Sequence, residues 1–488
     1  MRNTVEGRNI VIIGAGIGGL SAGILLSHLN FCVSIVEKNP LPGGLMRSYK
    51  RAGFDCPVGV HYVGALGDKE PLGEMFRIMG IPVEELFTPM GQEGFIDRYI
   101  FDDMTFDLPV GIDALEKSLR QTFPQDTKSL DTIMENLREI SRRMMDFSLL
   151  LNQGDPFQNM DYFQSMGELL DSLEVSQGLR AVLSVPCNLI GVPLDDCPVI
   201  FHHMVLASYL FSSWRLREGG SKMTDVFVRR FTDLGGKLIL NNGVKKILLV
   251  EGKVNEVILD SEQSLFPDAV IAAIHPKTLL KLLDDNALRV SYCRRVRTLK
   301  ETEGVIGVQA SVNAKKHPEI NHNIYRLHTD ENGVIHDGIF YQLRGGSSKE
   351  SSLLSIITKS LYSEWSHWKN TVSGKRGKDY EEKKMKIAES LLKKAEEIFG
   401  DLRDARIIDI YTPLTVRDYV SAPEGACYGI LRSSRQLLKA ISLNNVPVGG
   451  LYLAGQNALA PGVMGSIMGS FNVVRQIIGD ERFFKEIK

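Results

Sequence analysis

Gly14, Gly16 and Gly19 form a GxGxxG pattern directly after the apolar pentad Asn9–Ile13 and at the head of an apolar stretch, Gly18–Leu29. Each glycine answers a physical need of a strand–turn–helix that holds a diphosphate. Gly14 permits the tight turn. Gly16 lets the backbone approach a pyrophosphate. Gly19 lets the helix pack close to the strand. The first helical N–H groups, with the positive end of the helix dipole, then face the phosphates. A second apolar strand, Cys32–Val36, follows and ends at Glu37, 23 positions after Gly14. A carboxylate at that distance sits where ribose hydroxyls are bound. A glycine turn alone is weak evidence; the strand, helix and acidic residue together read as a dinucleotide site, with Gly18 and Lys38 beside it.

The chemistry-bearing residues continue beyond Glu37. Gly43-Gly44 is followed by Arg47 and by Gly53-Phe54-Asp55. A guanidinium beside a diphosphate makes bidentate, charge-assisted bonds, whereas a solvated surface arginine is the plain alternative for Arg47. Near the C-terminus, the strand-like GGLYL of Gly449–Leu453 leads to Ala454-Gly455-Gln456-Asn457, and Pro461–Gly465 opens a helix. There a polar side chain can take a ribityl hydroxyl, and the helix N-terminus can meet negative charge on a reduced isoalloxazine. His61 and Tyr62 are candidates for moving a proton or placing a substrate, since histidine titrates near neutral pH and tyrosine offers an O–H. Both also fit a purely structural role, as do Tyr419, Tyr428, His202 and His203.

The run GG-xx-R then G-F-D resembles the flavoprotein superfamily of amine oxidases, phytoene desaturases and Rab GDP-dissociation inhibitors. Three further runs narrow the resemblance: Val60-His61-Tyr62-Val63-Gly64; Tyr411-Thr412-Pro413-Leu414-Thr415 with Asp418-Tyr419 and Ala422–Gly429; and Ala454-Gly455-Gln456-Asn457. Together they look like the retinol saturase and carotenoid isomerase branch of the phytoene desaturase-like FAD-dependent oxidoreductases, over nearly the whole chain. The resemblance implies FAD rather than NAD as the resident cofactor. It places Gly44 and Arg47 near the pyrophosphate and ribityl chain, Val244 at the adenine through its main chain, and Gly455, Asn457 and Gly465 at the flavin. Many relatives carry Asp or Glu where this chain has Asn457. Cys56-Pro57-Val58 makes the spacing before Gly59 longer than the pattern expects.

Relatives act on carbon–carbon double bonds of long isoprenoids. The implied reaction is hydride exchange at flavin N5, with saturation, desaturation and isomerisation all open. With a single dinucleotide fingerprint in the chain, the electron partner is NAD(P)H, a quinone or O2. Two other classes compete: a prenyl-lipid carrier or chaperone on the same fold, and an amine-oxidase-like flavoenzyme. The turn Asn457–Ser466 lacks the aromatic pair with which amine oxidases flank their flavin, which weakens the latter.

The 488-residue chain is too long for one simple core. It is 43% hydrophobic and 24% charged, with a net charge of −2, which argues against a nucleic-acid partner. Cys32, Cys56, Cys187, Cys197, Cys293 and Cys427 follow no metal or redox spacing and read as reduced thiols. The polar N-terminus, MRNTVEGRN, leaves no room for a secretory signal. No run reaches the about 20 apolar residues of a membrane span. A cytoplasmic protein follows, one that a lipophilic substrate would draw to a membrane surface. The apolar run Pro198–Phe211 reads as a core helix or as the wall of a lipid-accepting tunnel.

The positioning elements form an α/β pattern. Residues 1–75, 214–299 and 446–488 read as a Rossmann-like FAD-binding domain of the glutathione reductase/amine oxidase type. Residues 76–213 and 300–445 read as a discontinuous α+β substrate domain with a helical cap. Helices are expected at Pro71–Gly80, Ile112–Thr122, Thr127–Leu151, Lys222–Leu234 and Tyr380–Phe399. Strands are expected at Val244–Val250, Val254–Leu259, Phe266–Ile274, Val305–Val312, Ile339–Leu343 and Leu353–Thr358.

Overall fold

A computed structural model describes residues 7–146, 163–346 and 349–487. The reading of residues 1–6 and the end of the Thr127–Leu151 helix, from 147 on, lie outside the described residues. A five-stranded parallel sheet gathers strands far apart in sequence, in the order Lys237–Ile239, Cys32–Val36, Asn9–Ile13, Ala269–Ala272, Leu451–Leu453. Both of its faces are covered, so its strands are continuous apolar runs. Ile10 and Ile12 point to one core, beneath the helices Ile17–His28, Gly220–Asp233 and Gly462–Ile478. Val11 and Ile13 point to the other, with the Val244–Val250/Lys253–Leu259 hairpin.

A second sheet has seven strands, in the order Arg406–Tyr411, Gly304–Asn313, Ser351–Ser360, Ile335–Gly345, Asn323–Thr329, Phe95–Ile100, Thr105–Pro109. Its pairs are antiparallel except that Asn323–Thr329 runs parallel to Phe95–Ile100, with Asn323 opposite Asp97. The hairpin from the first half of the chain thus completes a sheet built in the second half. A short three-stranded sheet pairs Tyr62–Gly64 with Ser213–Leu216, setting Tyr62 opposite Arg215. The helix Val199–Phe211 is buried beside Tyr62–Gly64; a Cβ on Gly64 would stand 2.5 Å from the Ser208 carbonyl carbon.

The expected strand Phe266–Ile274 shortens to Ala269–Ala272. Pro267 has no N–H to donate, and the neighbouring strands end at Ile13 and Leu453. Among the elements that escaped the sequence pattern are the strands Asn323–Thr329 and Arg406–Tyr411 and the helices Val290–Thr298 and Pro413–Val420. Among the described residues, no helix is long and apolar enough to cross a membrane.

Candidate active site

The opening glycine turn meets the closing one. Gly14 has φ +100° and donates its N–H to the Val36 carbonyl at 2.8 Å, making the tight turn at the strand end. A Cβ on Gly18 would lie 2.5 Å from Gly455 Cα, so only glycine lets residues 18 and 455 touch. Ser470 of the closing helix seals this contact by donating to the Gly18 carbonyl at 2.7 Å. Gly43 donates to the Ala15 carbonyl at 2.8 Å, bringing the Gly43-Gly44 pair against Gly16. Around Gly16, Gly455 and Gly462 the space where a Cβ would point is open. The result is a cradle of backbone at the start of the helix Ile17–His28, whose N-terminus has no side-chain cap. Its free N–H groups suit a diphosphate.

Glu37 stands at the end of the second strand, buried, and lines the same cavity. Its Oε2 accepts from Ala15 N at 2.9 Å, and its Oε1 accepts from Asn39 N at 2.9 Å and Asn39 Nδ2 at 2.8 Å. A carboxylate has about four acceptor positions. Three are taken, and one remains for a hydroxyl. Lys38 also lines the cavity, but its Nζ donates to Ser421 Oγ at 2.6 Å, tying the strand end to the segment after Pro413–Val420. Burial lowers its pKa. Arg47 does not line the cavity: its guanidinium donates to the Leu41 carbonyl at 3.1 Å and lies 5.7 Å from the Tyr419 ring centre. These two partners hold the guanidinium beside the turn. Val244 lines the cavity from the hairpin.

On the closing side, Asn457 Oδ1 accepts from Ile430 N at 3.0 Å, leaving the amide NH2 to meet a ribityl oxygen. Behind it lies Arg432, 1% exposed, whose Nη2 donates to the carbonyls of Gln456 at 3.2 Å and Asn457 at 2.9 Å. Its Nε and Nη1 are buried without partners. Burial pulls the guanidinium down to about 10, so it stays charged at neutral pH. Gly465 lies on the first turn of the closing helix and lines the cavity.

The opposite wall is aromatic and aliphatic, with Ile190, Val192, Phe201, Val205, Leu327 and Phe340 among its residues. The run Pro198–Phe211 is therefore both core and wall. His61 packs edge-on against Phe340 at 5.3 Å, and both its ring nitrogens are buried without a hydrogen-bond partner. Burial, then the nearby Arg344, hold its pKa down to about 4, against opposing effects of Gln342 and the Val58 backbone. The expectation that His61 titrates near neutral pH is corrected: it is uncharged there because, among the described residues, no carboxylate offsets its desolvation.

Tyr62 donates to Asp97 Oδ2 at 2.9 Å and shares a 2.8 Å bond with Tyr325 Oη. Burial, chiefly, raises the pKa of Tyr62 well above its ordinary value and that of Asp97 up to about 7. Tyr428 lines the cavity as well, while exposed Tyr419 stands at its edge under Arg47. His202 and His203 are buried, bonded to each other through Nδ1 at 2.9 Å, with His202 Nε2 against the Leu183 carbonyl at 2.7 Å. The sequence pattern did not single out Asp97, Tyr325, Phe340 or Arg432. Each sits in an ordinary strand or loop, and only strand register and packing bring it to the site.

One cavity of about 960 Å³ joins the glycine cradle to the aromatic wall. A parallel sheet with a glycine turn at its carboxyl edge and a deep cleft beside it defines a dinucleotide-binding oxidoreductase, with a cofactor of the dinucleotide or flavin type. Comparison agrees. Residues 12–78 match an NAD(P)-binding Rossmann-like domain. A solved oxidoreductase from Methanosarcina mazei shares the fold, with a TM-score of 0.68 at 17% identity, over 96% of this chain and 100% of that one. The all-trans-retinol 13,14-reductase of Danio rerio is 22% identical over 95% of this chain and 85% of its own length. Prolycopene isomerase 1 of an Oncidium hybrid cultivar is 22% identical over 93% and 80%. The chain is thus similar, along nearly its whole length, to the retinol saturase and carotenoid isomerase branch of the phytoene desaturase-like oxidoreductases.

Proposed function

We propose that this chain is an FAD-dependent oxidoreductase acting on carbon–carbon double bonds of a long, lipophilic polyene. The observation that carries this reading is the continuous cavity of about 960 Å³, backbone cradle at one side and apolar wall at the other. That volume is at the upper end of small-molecule sites and suits a cofactor with an extended substrate. The proteins it resembles are named for a retinol reduction and a prolycopene isomerisation. We assign residues 1–75, 214–299 and 446–488 to the cofactor and 76–213 and 300–445 to the substrate.

Bound FAD would supply hydride exchange at N5; the chain supplies the rest. Gly14, Gly16, Gly18, Gly19 and Gly44 let backbone approach the diphosphate, and the remaining acceptor of Glu37 takes a ribose hydroxyl. Main chain at Val244 would hold the adenine. Asn457 would donate to a ribityl oxygen, Gly455 and Gly465 keep the closing turn open, and Arg432 places a buried positive charge behind it. The fit rests on the cradle that a Cβ would fill at Gly18 and on the open space at Gly16, Gly455 and Gly462. Phe201, Val205, Leu327 and Phe340 exclude water and align a flat hydrocarbon chain. A substrate of this kind dissolves in lipid, so loading at a membrane surface follows from its chemistry. NAD(P)H, a quinone or O2 would exchange the electrons.

The test is anaerobic incubation of the flavin-loaded protein with all-trans-retinol and poly-cis carotenoids, followed by product mass and chromatography. A gain of two hydrogens, a loss of two, or an isomer of unchanged mass each supports the reading and fixes the direction. A colourless protein that returns the polyene unaltered would instead be a carrier. Consumption of amines with no action on polyenes would make it amine-oxidase-like.

A further inference from the structure

Asp97, Tyr62 and Tyr325 form a chain of hydroxyls that begins at a fully buried carboxyl and ends on the cavity wall. Tyr62 and Tyr325 line the cavity, and Asp97, 1% exposed, stands behind them. The bonding around Asp97 fixes where a proton can sit. Asn323 Oδ1 accepts from Gln342 Nε2 at 3.0 Å and from Arg215 Nη2 at 3.4 Å. That side of the amide is therefore its oxygen, and Asn323 Nδ2 donates to Asp97 Oδ1 at 2.8 Å. Oδ1 is an acceptor in either ionisation state. A proton on the carboxyl must ride on Oδ2, which faces Tyr62 Oη at 2.9 Å.

Hydroxyl counting then gives two patterns. With Asp97 ionised, Tyr62 donates to Asp97 and Tyr325 donates to Tyr62, so neither O–H is left over. With Asp97 protonated, its O–H donates to Tyr62, Tyr62 donates to Tyr325, and the Tyr325 O–H is free to point into the cavity. We propose that Asp97 stores the proton for the polyene reaction and that Tyr325 delivers it, through Tyr62, to a carbon of the substrate. This assignment rests on the polyene-oxidoreductase reading.

In delivery, the Tyr325 O–H breaks and a C–H bond forms with the electron pair of the alkene. The Tyr62 proton moves to the Tyr325 oxygen, and the Asp97 proton moves to the Tyr62 oxygen. The end state is the ionised pattern above, reached without turning any side chain. The companion hydride, with its electron pair, comes from reduced flavin; in the reverse direction each transfer runs backwards. Tyr325 is the catalytic residue here, and Asp97 and Tyr62 are positioning residues.

The environment suits a carboxyl that changes state near neutrality. Burial pushes Asp97 up to about 7, opposed by its bonds to Asn323 and Tyr62 and by the charge of Arg215. Tyr99 on its own strand, Tyr209 from the helix Val199–Phe211 and Tyr325 also face it; burial, chiefly, raises all three, and they stay neutral. Arg215, lowered by burial to about 10, is the one charged group among these.

Infrared difference titration of the flavin-loaded protein from pH 5 to 9 reads the carboxylic C=O stretch directly. The expected result is a band that disappears with a midpoint near 7, is missing in Asp97→Asn, moves to higher pH in Tyr62→Phe, and is retained in Tyr325→Phe. In turnover, Tyr325→Phe should slow the reaction about 100-fold with flavin content unchanged. Wild type should show an inflection near pH 7 in kcat, and Asp97→Asn, which keeps the shape, should lose it. An Asp97 ionised throughout the range, or an Asp97→Asn variant that keeps the inflection, overturns the relay while leaving the polyene reading intact. A flavin-loaded protein that alters no polyene overturns the reading itself, and the relay's role with it.

Discussion

The two walls of the cavity are built on opposite principles. The cofactor wall is backbone: at Gly14, Gly18 and Gly44 a Cβ would meet main-chain atoms first, while Gly16 and Gly455 leave open space. The aromatic wall is side chain: His61, Tyr62, Tyr325 and Phe340 come from three different strands and the loop before one of them, and their rings contact one another. The first wall tolerates no added atom at Gly18, where a Cβ would lie 2.5 Å from Gly455 Cα. The second tolerates changes of shape but is sensitive to charge, because its polar atoms sit where water does not offset an ionisation.

Substitutions that exploit this difference rank by expected effect. Gly18→Val forces a side chain into Gly455. Overpacking of this kind costs about 1–3 kcal/mol, and here it separates the two turns that make the cradle. Flavin content after purification should fall roughly 10- to 100-fold, with a lowered Tm; a Gly18→Val protein that holds a full complement of flavin would show that the turns need not touch.

The aromatic wall should instead respond to acid. His61 is held down to about 4, against 6.5 for an ordinary histidine. Between those values the unfolded chain binds a proton that the folded protein refuses, so stability present above pH 6.5 is lost as pH falls towards 4. His202, also held to about 4, and His203 act in the same direction. At pH 5 the His61 contribution is about 2 kcal/mol. Denaturant unfolding of His61→Phe should therefore show a shallower pH dependence between 4 and 6.5, the offset recovering about that amount. An unchanged slope would mean that His61 is solvated. Turnover at neutral pH should fall less than about tenfold, since the ring carries no charge to give up.

Arg47→Ala sharpens the boundary of the cofactor wall. With its guanidinium on Leu41 and Tyr419, it should change flavin affinity less than about threefold, a surface-sized effect. A larger loss, read by flavin titration, would mean that the arginine swings onto the diphosphate when the cofactor binds. The smallest effect is expected at Val244→Ala. If the contact is through main chain, flavin affinity changes by no more than about twofold.

The same contrast explains what could be read before folding. Asn9–Ile13, Cys32–Val36 and the glycine turn between them were legible, because the constraint is local: a few glycines, a buried strand and a helix start all lie between Asn9 and Val36. The closing turn at Gly455–Gly465 was legible for the same reason. His61 and Tyr62, singled out from the sequence, line the cavity, but their state was not legible, since a histidine's charge depends on what surrounds it. Asp97 was not legible at all. In the run Phe95–Ile100 it is one polar residue of an alternating strand, and its partners lie at positions 62, 215 and 323. Arg432 likewise reads as a loop arginine and becomes a buried cation only by packing behind Asn457.

The amino-acid order by itself determined the opening strand–turn–helix and the place where a diphosphate can be held. Those follow from backbone geometry, which glycine spacing and apolar runs specify locally. The tertiary structure alone decided which side chains face the cavity, how they bond and which of them carry a proton at neutral pH. Burial and long-range register set those properties: a carboxyl reaches about 7 only when strands from the first and second halves of the chain close around it.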